Sequence, residues 1–318
     1  MENFVTLFDA KFLPQGLALH TSMMRVIHSF RLWILCMDSE CFKILNSLNL
    51  SNVTLLKIEE YESPELLGVK MGRSAGEYCW TLTPFVPRFV FDADPSVNRV
   101  TYLDADLWFR KSPEPILQEF EESKKHVLIT SHGYAPEYDQ SETSGQYCVQ
   151  FITFNNTPES EQVRKSWAEE CVTWCFARSE DGKFGDQKYL DKWPEKYSHL
   201  VHILSHLEWT LAPWNSIRFP YGEAIFHHFQ GFRIVGENKY TLGHYAIPKI
   251  TFDKIYVPYF RDIKNALNLL MKLNITIGMQ GDPVTLTSIQ KLRKNLADLV
   301  IFRWRYSPKN YGKLDKID

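Results

Sequence analysis

The residues Asp104-Ala105-Asp106 stand directly after an apolar run, Val100-Thr101-Tyr102-Leu103. In extended backbone, side chains at i and i+2 point the same way, so both carboxylates can face one ion. Carboxylate oxygens suit a hard divalent cation such as Mg²⁺ or Mn²⁺. The carboxyl end of a strand in a parallel sheet is also where open α/β folds bind ligands. The spacing alone is weak: Asp92-Ala93-Asp94 repeats it, but is followed by Pro95 and polar residues and reads as a solvated turn.

Phe226-His227-His228-Phe229-Gln230-Gly231 is a second candidate. Neutral imidazole is a good ligand for Mn²⁺ or Zn²⁺. In extended backbone His227 and His228 take opposite faces, so only one of them can readily join a metal. Gly231 allows close approach of backbone to a ligand. A third candidate is Gly185-Asp186-Gln187. Asp186 reads equally as the cap of a following helix and as a group placed with Gln187 over a bound ligand.

Positioning these groups requires a sheet. Phe4–Phe8, Leu32–Met37 and Val53–Ile58 are short apolar runs separated by segments of helical period, a β-α-β-α-β pattern that predicts a parallel sheet with helices on both faces. A helix is expected over 76–92, kinked or delayed by Pro84 and Pro87. Strands are expected over 99–103, 127–130 and 149–154, and an amphipathic helix over 158–176. Beyond 250 two helical segments, 253–273 and 286–306, form a helical C-terminal appendage. The expected division is a domain over 1–245 and a helical extension over 246–318.

A net charge of -2 gives no basic field, which excludes bulk nucleic-acid binding. No apolar run approaches 20 residues, so no spanning helix is expected. Met1-Glu2-Asn3-Phe4 is acidic, unlike the basic start of a secretory signal. Six scattered cysteines read as buried thiols, which predicts a cytoplasmic setting. Residues 286–318 interleave Lys291, Arg293, Lys294, Arg303 and Arg305 with Leu296, Phe302, Trp304 and Tyr306. Such a helix either lies on the inner face of an anionic membrane as a peripheral contact or packs on the catalytic domain. The loops 131–147 and 205–222 are expected to shape the pockets.

Taken together, over residues 4–235, these motifs resemble GT-A-fold glycosyltransferases of family 8 and a related branch of bacterial nucleotide-diphospho-sugar transferases. The resemblance rests on a strand ending near Asp9, on Tyr102-Leu103-Asp104-Ala105-Asp106, on Asp186-Gln187 and on His228-Phe229-x-Gly231. It implies a UDP-sugar donor, Mn²⁺ or Mg²⁺, a glycan, lipid-linked or protein acceptor, and transfer with retention. It further implies that Asp104, Asp106 and His228 hold the metal. Leu7, Phe8 and Asp9 would meet uracil, and Asp186 and Gln187 the transferred sugar. Gly231 and Arg233 would lie in the diphosphate loop.

Two departures from the family pattern stand out. Cys148-Val149-Gln150 occupies the place of Asn-Ala-Gly, so Gln150 is the candidate polar partner of the sugar. The family's donor-binding arginine has no match at 81–84, which leaves Lys70 or Arg73 as substitutes. Three other readings remain open. A haloacid-dehalogenase-like phosphatase also uses Asp-x-Asp, though usually followed by Thr. The chain could bind a nucleotide-sugar or glycan without turnover. His202-x-x-x-His206 has zinc-ligand spacing, but Val201-His202-Ile203 reads as a strand, which separates the two rings.

Overall fold

A computed structural model of the chain describes residues 1–281 and 311–314. Its strands are β1 (Glu2–Phe8), β2 (Phe30–Cys36), β3 (Val53–Lys57), β4 (Arg99–Leu103), β5 (Leu107–Phe109), β6 (Val127–Ser131), β7 (Tyr147–Asn155) and β8 (Val201–Ile203), then β9 (Thr210–Leu211), β10 (Phe226–His228), β11 (Arg233–Gly236), β12 (Lys239–Thr241) and β13 (Tyr311–Lys313). A seven-stranded sheet has the order β3-β2-β1-β4-β7-β6-β8. β1 pairs in parallel with both β2 and β4, whereas β7 runs antiparallel to β4 and β6. The mixed, mostly parallel α/β sheet with helices on both faces is therefore present as expected. The chain winds outward from β1 to β3 and returns to β4 on the other side of β1. That reversal opens a crevice at the carboxyl ends of β1 and β4.

Side-chain alternation explains why these strands are apolar nearly throughout. Val5, Leu7, Trp33, Leu35, Val100 and Tyr102 feed one core, while Phe4, Phe8, Leu32, Ile34 and Leu103 feed another on the opposite face. A sheet covered on both faces needs both sets. The expected helix over 76–92 is two helices, Ala75–Leu82 and Val86–Ala93. Pro87 sits in the first turn of the second, where its missing N–H removes no helical bond.

Two smaller sheets, β5-β10-β9 and β11-β12-β13, lie beyond the main one. Under them is a third apolar core, formed by Phe229, Phe232, Tyr256, Tyr259 and Phe260 with Trp108 and Trp214. The helix Val257–Lys272 continues a π-helical turn, Phe252–Tyr256, and packs against the helix Leu13–Val26. Its Asp262 accepts two hydrogen bonds from Arg25, at 2.9 and 2.5 Å, and one from Trp108 Nε1 at 2.7 Å. No helix among the described residues is long and apolar enough to cross a membrane. The segment expected as a basic amphipathic helix, 286–306, lies outside the described residues.

Candidate active site and metal centre

β4 delivers Asp104 at its end, and Asp104-Ala105-Asp106 then forms a turn into β5, closed by the Leu107 N–H donating to the Asp104 carbonyl at 3.1 Å. The two carboxylates thus converge through a turn, where straight extended backbone was expected. β5 pairs antiparallel with β10, with His228 opposite Leu107. The Phe229 N–H closes the pairing on the Asp106 carbonyl at 2.9 Å. This register brings His228 Nε2 to 3.1 Å from Asp106 Oδ1 and 3.5 Å from Asp104 Oδ2.

These three residues each offer a ligand atom, all within 4.8 Å of one another, and among the described residues no other such group forms. Metal–oxygen lengths of about 2.1 Å place neighbouring ligands about 3 Å apart, close to the 3.1 and 3.5 Å between His228 Nε2 and the two carboxylates. Two hard oxygens and one imidazole fit Mn²⁺ or Mg²⁺. His202 and His206 do not converge: the first pairs with Glu119, the second with Glu208. Asp94 pairs with Arg31 and Asp92 with Arg88, so the second Asp-x-Asp is tied up in surface ion pairs.

Without a metal the three groups form an ion-paired cluster. Burial opposes a charge on His228, but Asp106 and its hydrogen bond hold the imidazole well above its usual range. Burial also raises Asp106, yet His228 pulls it below the ordinary carboxylate value. Asp104 is shifted up by burial, more than His228 offsets. Tyr102 donates its hydroxyl to Asp104 Oδ1 at 2.9 Å. His227 takes the other face, packed against Phe229 and Tyr256 with neither ring nitrogen partnered.

The cluster opens into a cavity of about 450 Å³. Leu7, Phe8, Asp9 and Phe12 line one part of it with Trp80 and Phe184, and Asp186, Gln187 and Arg233 line it too. Asp9 caps the short turn Ala10–Phe12, accepting from the Lys11 and Phe12 N–H groups. Asp186 does not cap a helix: a 3₁₀ segment, Gln187–Lys192, follows, and the Asp186 side chain makes no cap bond. Its backbone is held instead by Trp167 Nε1, which donates to the Asp186 carbonyl at 2.8 Å. Its side chain is 4% exposed and Oδ2 has no partner. Burial, with Asp104 nearby, pushes its pKa up to about 8, so it is largely protonated at neutral pH. Gln187 donates from Nε2 to the Ser144 carbonyl at 2.6 Å, which leaves its carbonyl oxygen free of that bond.

Three expected contacts fall elsewhere. Gln150 does not line the cavity; it is fully buried beside His228, with Oε1 2.9 Å from Nδ1. Lys70 pairs with Glu62, and Arg73 bonds Thr81 and the carbonyls of Cys171 and Val172, so neither reaches the cavity. Lys70 ends the helix Pro64–Lys70 and Arg73 sits in the bend that follows it, each satisfied within the protein. Gly231 adopts φ +84 and packs against Leu242 and Gly243, shaping the turn that delivers Arg233. Arg233 Nη1 stands 3.9 Å from Asp106 Oδ2.

Nothing in the spacing of the sequence marks Trp80, Phe184, His132, Tyr134, Trp214 or Tyr245, which line the same cavity. For His132, Tyr134 and Trp214 the signal was the expectation that loops 131–147 and 205–222 build the pockets; Trp80, Phe184 and Tyr245 lie outside those loops.

No family model matches the chain. The uncharacterized protein YfnF of Bacillus subtilis (strain 168) is 30% identical over 257 residues, covering 74% of this chain and 83% of YfnF. The uncharacterized protein YfnD of the same organism is 29% identical over 265 residues, covering 76% of this chain and 84% of YfnD. The solved apo structure of the glycosyltransferase GlyE of Streptococcus pneumoniae TIGR4 matches with a TM-score of 0.52 at 12% identity, over 88% of this chain and 66% of GlyE. The bifunctional glycosyltransferase WbbM matches with a TM-score of 0.50 at 16% identity, over 83% of this chain and 50% of WbbM. At these identities the shared feature is the GT-A fold.

Proposed function

The chain belongs to the same family as YfnF, and we propose that it is a metal-dependent glycosyltransferase moving a sugar from a UDP-sugar to an acceptor, with retention at the anomeric carbon. One observation carries this reading: Asp104, Asp106 and His228 come from two distant parts of the chain to one point on the wall of a cavity at the sheet's switch point. In a GT-A fold, that is where a nucleotide diphosphate and its ion would sit.

Asp104, Asp106 and His228 would hold the cation, which when bound neutralises charge growing on the departing diphosphate as a Lewis acid. Arg233, beside Asp106, is placed to pair with a phosphate oxygen. Protonated Asp186 can donate a hydrogen bond to a sugar hydroxyl from its unpartnered oxygen. Gln187, anchored through its NH₂ on Ser144, offers a carbonyl oxygen toward positive charge that develops on the sugar. A neutral amide is a poor nucleophile. Retention is therefore best served by attack on the face the diphosphate leaves, with the acceptor's proton passing to a diphosphate oxygen.

A thermal-shift and calorimetric screen of UDP and UDP-sugars, with and without Mn²⁺, tests the reading. Metal-dependent UDP binding together with donor consumption is expected. Binding that ignores the metal, or no binding of any uridine nucleotide, would overturn it. Membrane contact through 286–318 is tested separately, by vesicle sedimentation of the full chain and of a chain ending at 285.

A further inference from the structure

We propose that the part of the cavity walled by His132, Tyr134, Trp214 and Tyr245 is a pyranose subsite, so that the acceptor group presented at the metal centre is a sugar ring. This deepens the reading given under Proposed function and rests on it.

The four rings form one continuous patch that reaches the metal-ligating imidazole. Trp214 stands edge-on to His228 with centroids 5.4 Å apart, to His132 at 5.1 Å and to Tyr245 at 6.4 Å. Tyr134 stacks on His132 at 4.6 Å, with an interplanar angle of 11°. A ring resting on this patch therefore lies close to the metal-ligating imidazole.

The polar handles of two of these rings already have partners. Trp214 Nε1 donates to the His132 carbonyl at 2.8 Å, and Tyr245 accepts from Gln140 Nε2 at 3.0 Å. What Trp214 and Tyr245 offer the cavity is mainly ring carbon. The other two keep part of their polar capacity unmet. His132 Nδ1 has no partner although the residue is 3% exposed. The Tyr134 hydroxyl has no hydrogen bond among the described residues.

A pyranose matches both halves of this wall, with C–H bonds on its face and hydroxyls around its edge. An alkyl or polyprenyl chain would match only the first half and leave buried polar groups facing hydrocarbon, which is unfavourable. Burial keeps His132 neutral, with a pKa pushed down to about 3 despite hydrogen bonding to the backbone at Gln146 and Gly145, which leaves Nδ1 as the unpartnered ring nitrogen. The whole cavity, of which this wall is one side, holds about 450 Å³, within the range of small-ligand sites.

The test is saturation-transfer NMR on the full chain with UDP and Mn²⁺, using methyl α-glucopyranoside, methyl β-galactopyranoside and their N-acetyl analogues, against decyl phosphate. At least one glycoside should receive saturation, strongest on the C–H protons of one ring face. Tyr134→Leu should weaken that binding about tenfold, the equivalent of about 1.4 kcal/mol. Tyr134→Phe, which keeps the ring and loses only the hydroxyl, should weaken it less than Tyr134→Leu, and both variants should bind UDP with Mn²⁺ like the parent.

Glycoside binding unchanged in Tyr134→Leu would overturn the subsite. So would UDP binding with no saturation of any glycoside, or saturation of decyl phosphate alone; either outcome leaves the UDP-sugar reading intact. Tyr134-dependent glycoside binding without any UDP binding would support the subsite and remove the donor reading instead.

Discussion

Gln150 Oε1 lies 2.9 Å from His228 Nδ1, on the side of the imidazole away from Asp104 and Asp106. The amide oxygen accepts from Nδ1–H and so turns Nε2 toward the carboxylates. Partners of this kind typically set metal affinity by about 10–100-fold. Gln150→Leu should lower Mn²⁺ affinity within that range with the fold intact, while Gln150→Glu, which can also accept from Nδ1–H, should restore most of it. Mn²⁺ titration followed by electron paramagnetic resonance reads both variants. Parent-like affinity in Gln150→Leu would reject the positioning role.

Asp104→Asn and Asp106→Asn each remove one hard ligand from a set of three. Both should lose the Mn²⁺-dependent part of UDP stabilisation and metal-dependent donor hydrolysis, while circular dichroism stays that of the parent. Turnover near the parent's in either variant would mean the cation is held elsewhere.

Asp186 ties stability to pH. Its folded pKa, about 8, lies above the ordinary 3.8. Between those values the unfolded chain releases this proton while the folded chain keeps it, so the contribution falls as pH rises. In metal-free buffer, Asp186→Asn should gain stability relative to the parent, and more at pH 8 than at pH 5. Urea denaturation at the two pH values measures the difference. A gap that narrows toward pH 8 would contradict the buried, protonated carboxyl.

Asp262 holds Arg25 and Trp108 at once, tying the helix Val257–Lys272 to the helix Leu13–Val26 and to β5. Arg25 is half exposed, so its ion pair contributes little by itself. The larger loss on truncation is the buried Trp108 N–H left without an acceptor. Asp262→Ala should cost about 2–3 kcal/mol, and Asp262→Asn, which keeps an acceptor, clearly less. Denaturant midpoints of the two variants give the comparison.

Gly231 at φ +84 carries the turn between β10 and β11. An added Cβ would also stand 3.4 Å from the Leu242 carbonyl oxygen. Gly231→Ala should cost about 1–2 kcal/mol of stability and weaken UDP binding through displacement of Arg233. A variant that melts and binds UDP like the parent would show that the turn relaxes freely.

What the chain's order of residues determined by itself was the strands of the seven-stranded sheet and the chemistry at the end of one of them, while β5 and β9 to β13 were not legible as strands. Apolar runs such as Val100–Leu103 admit few places but a buried strand, and a carboxylate directly after one must sit at its rim. Period-two patterning also separated His227 from His228, since adjacent residues on a strand face opposite ways.

Local patterning did not decide how distant pieces meet. The register that sets His228 opposite Leu107 belongs to the pairing of β5 with β10, strands more than a hundred residues apart whose short lengths carry no pairing signal. That pairing makes a ligand set of three residues, and the space behind His228 turns Gln150 from an expected sugar contact into a buried partner of the imidazole. Lys70 and Arg73 were charges at a plausible distance along the chain, but their direction depends on the acceptors that packing places around them: Glu62 for one, Thr81 and two carbonyls for the other. The aromatic wall is the extreme case. His132, Tyr134, Trp214 and Tyr245 come from loops without periodicity, and ring-on-ring packing in three dimensions alone makes them one surface.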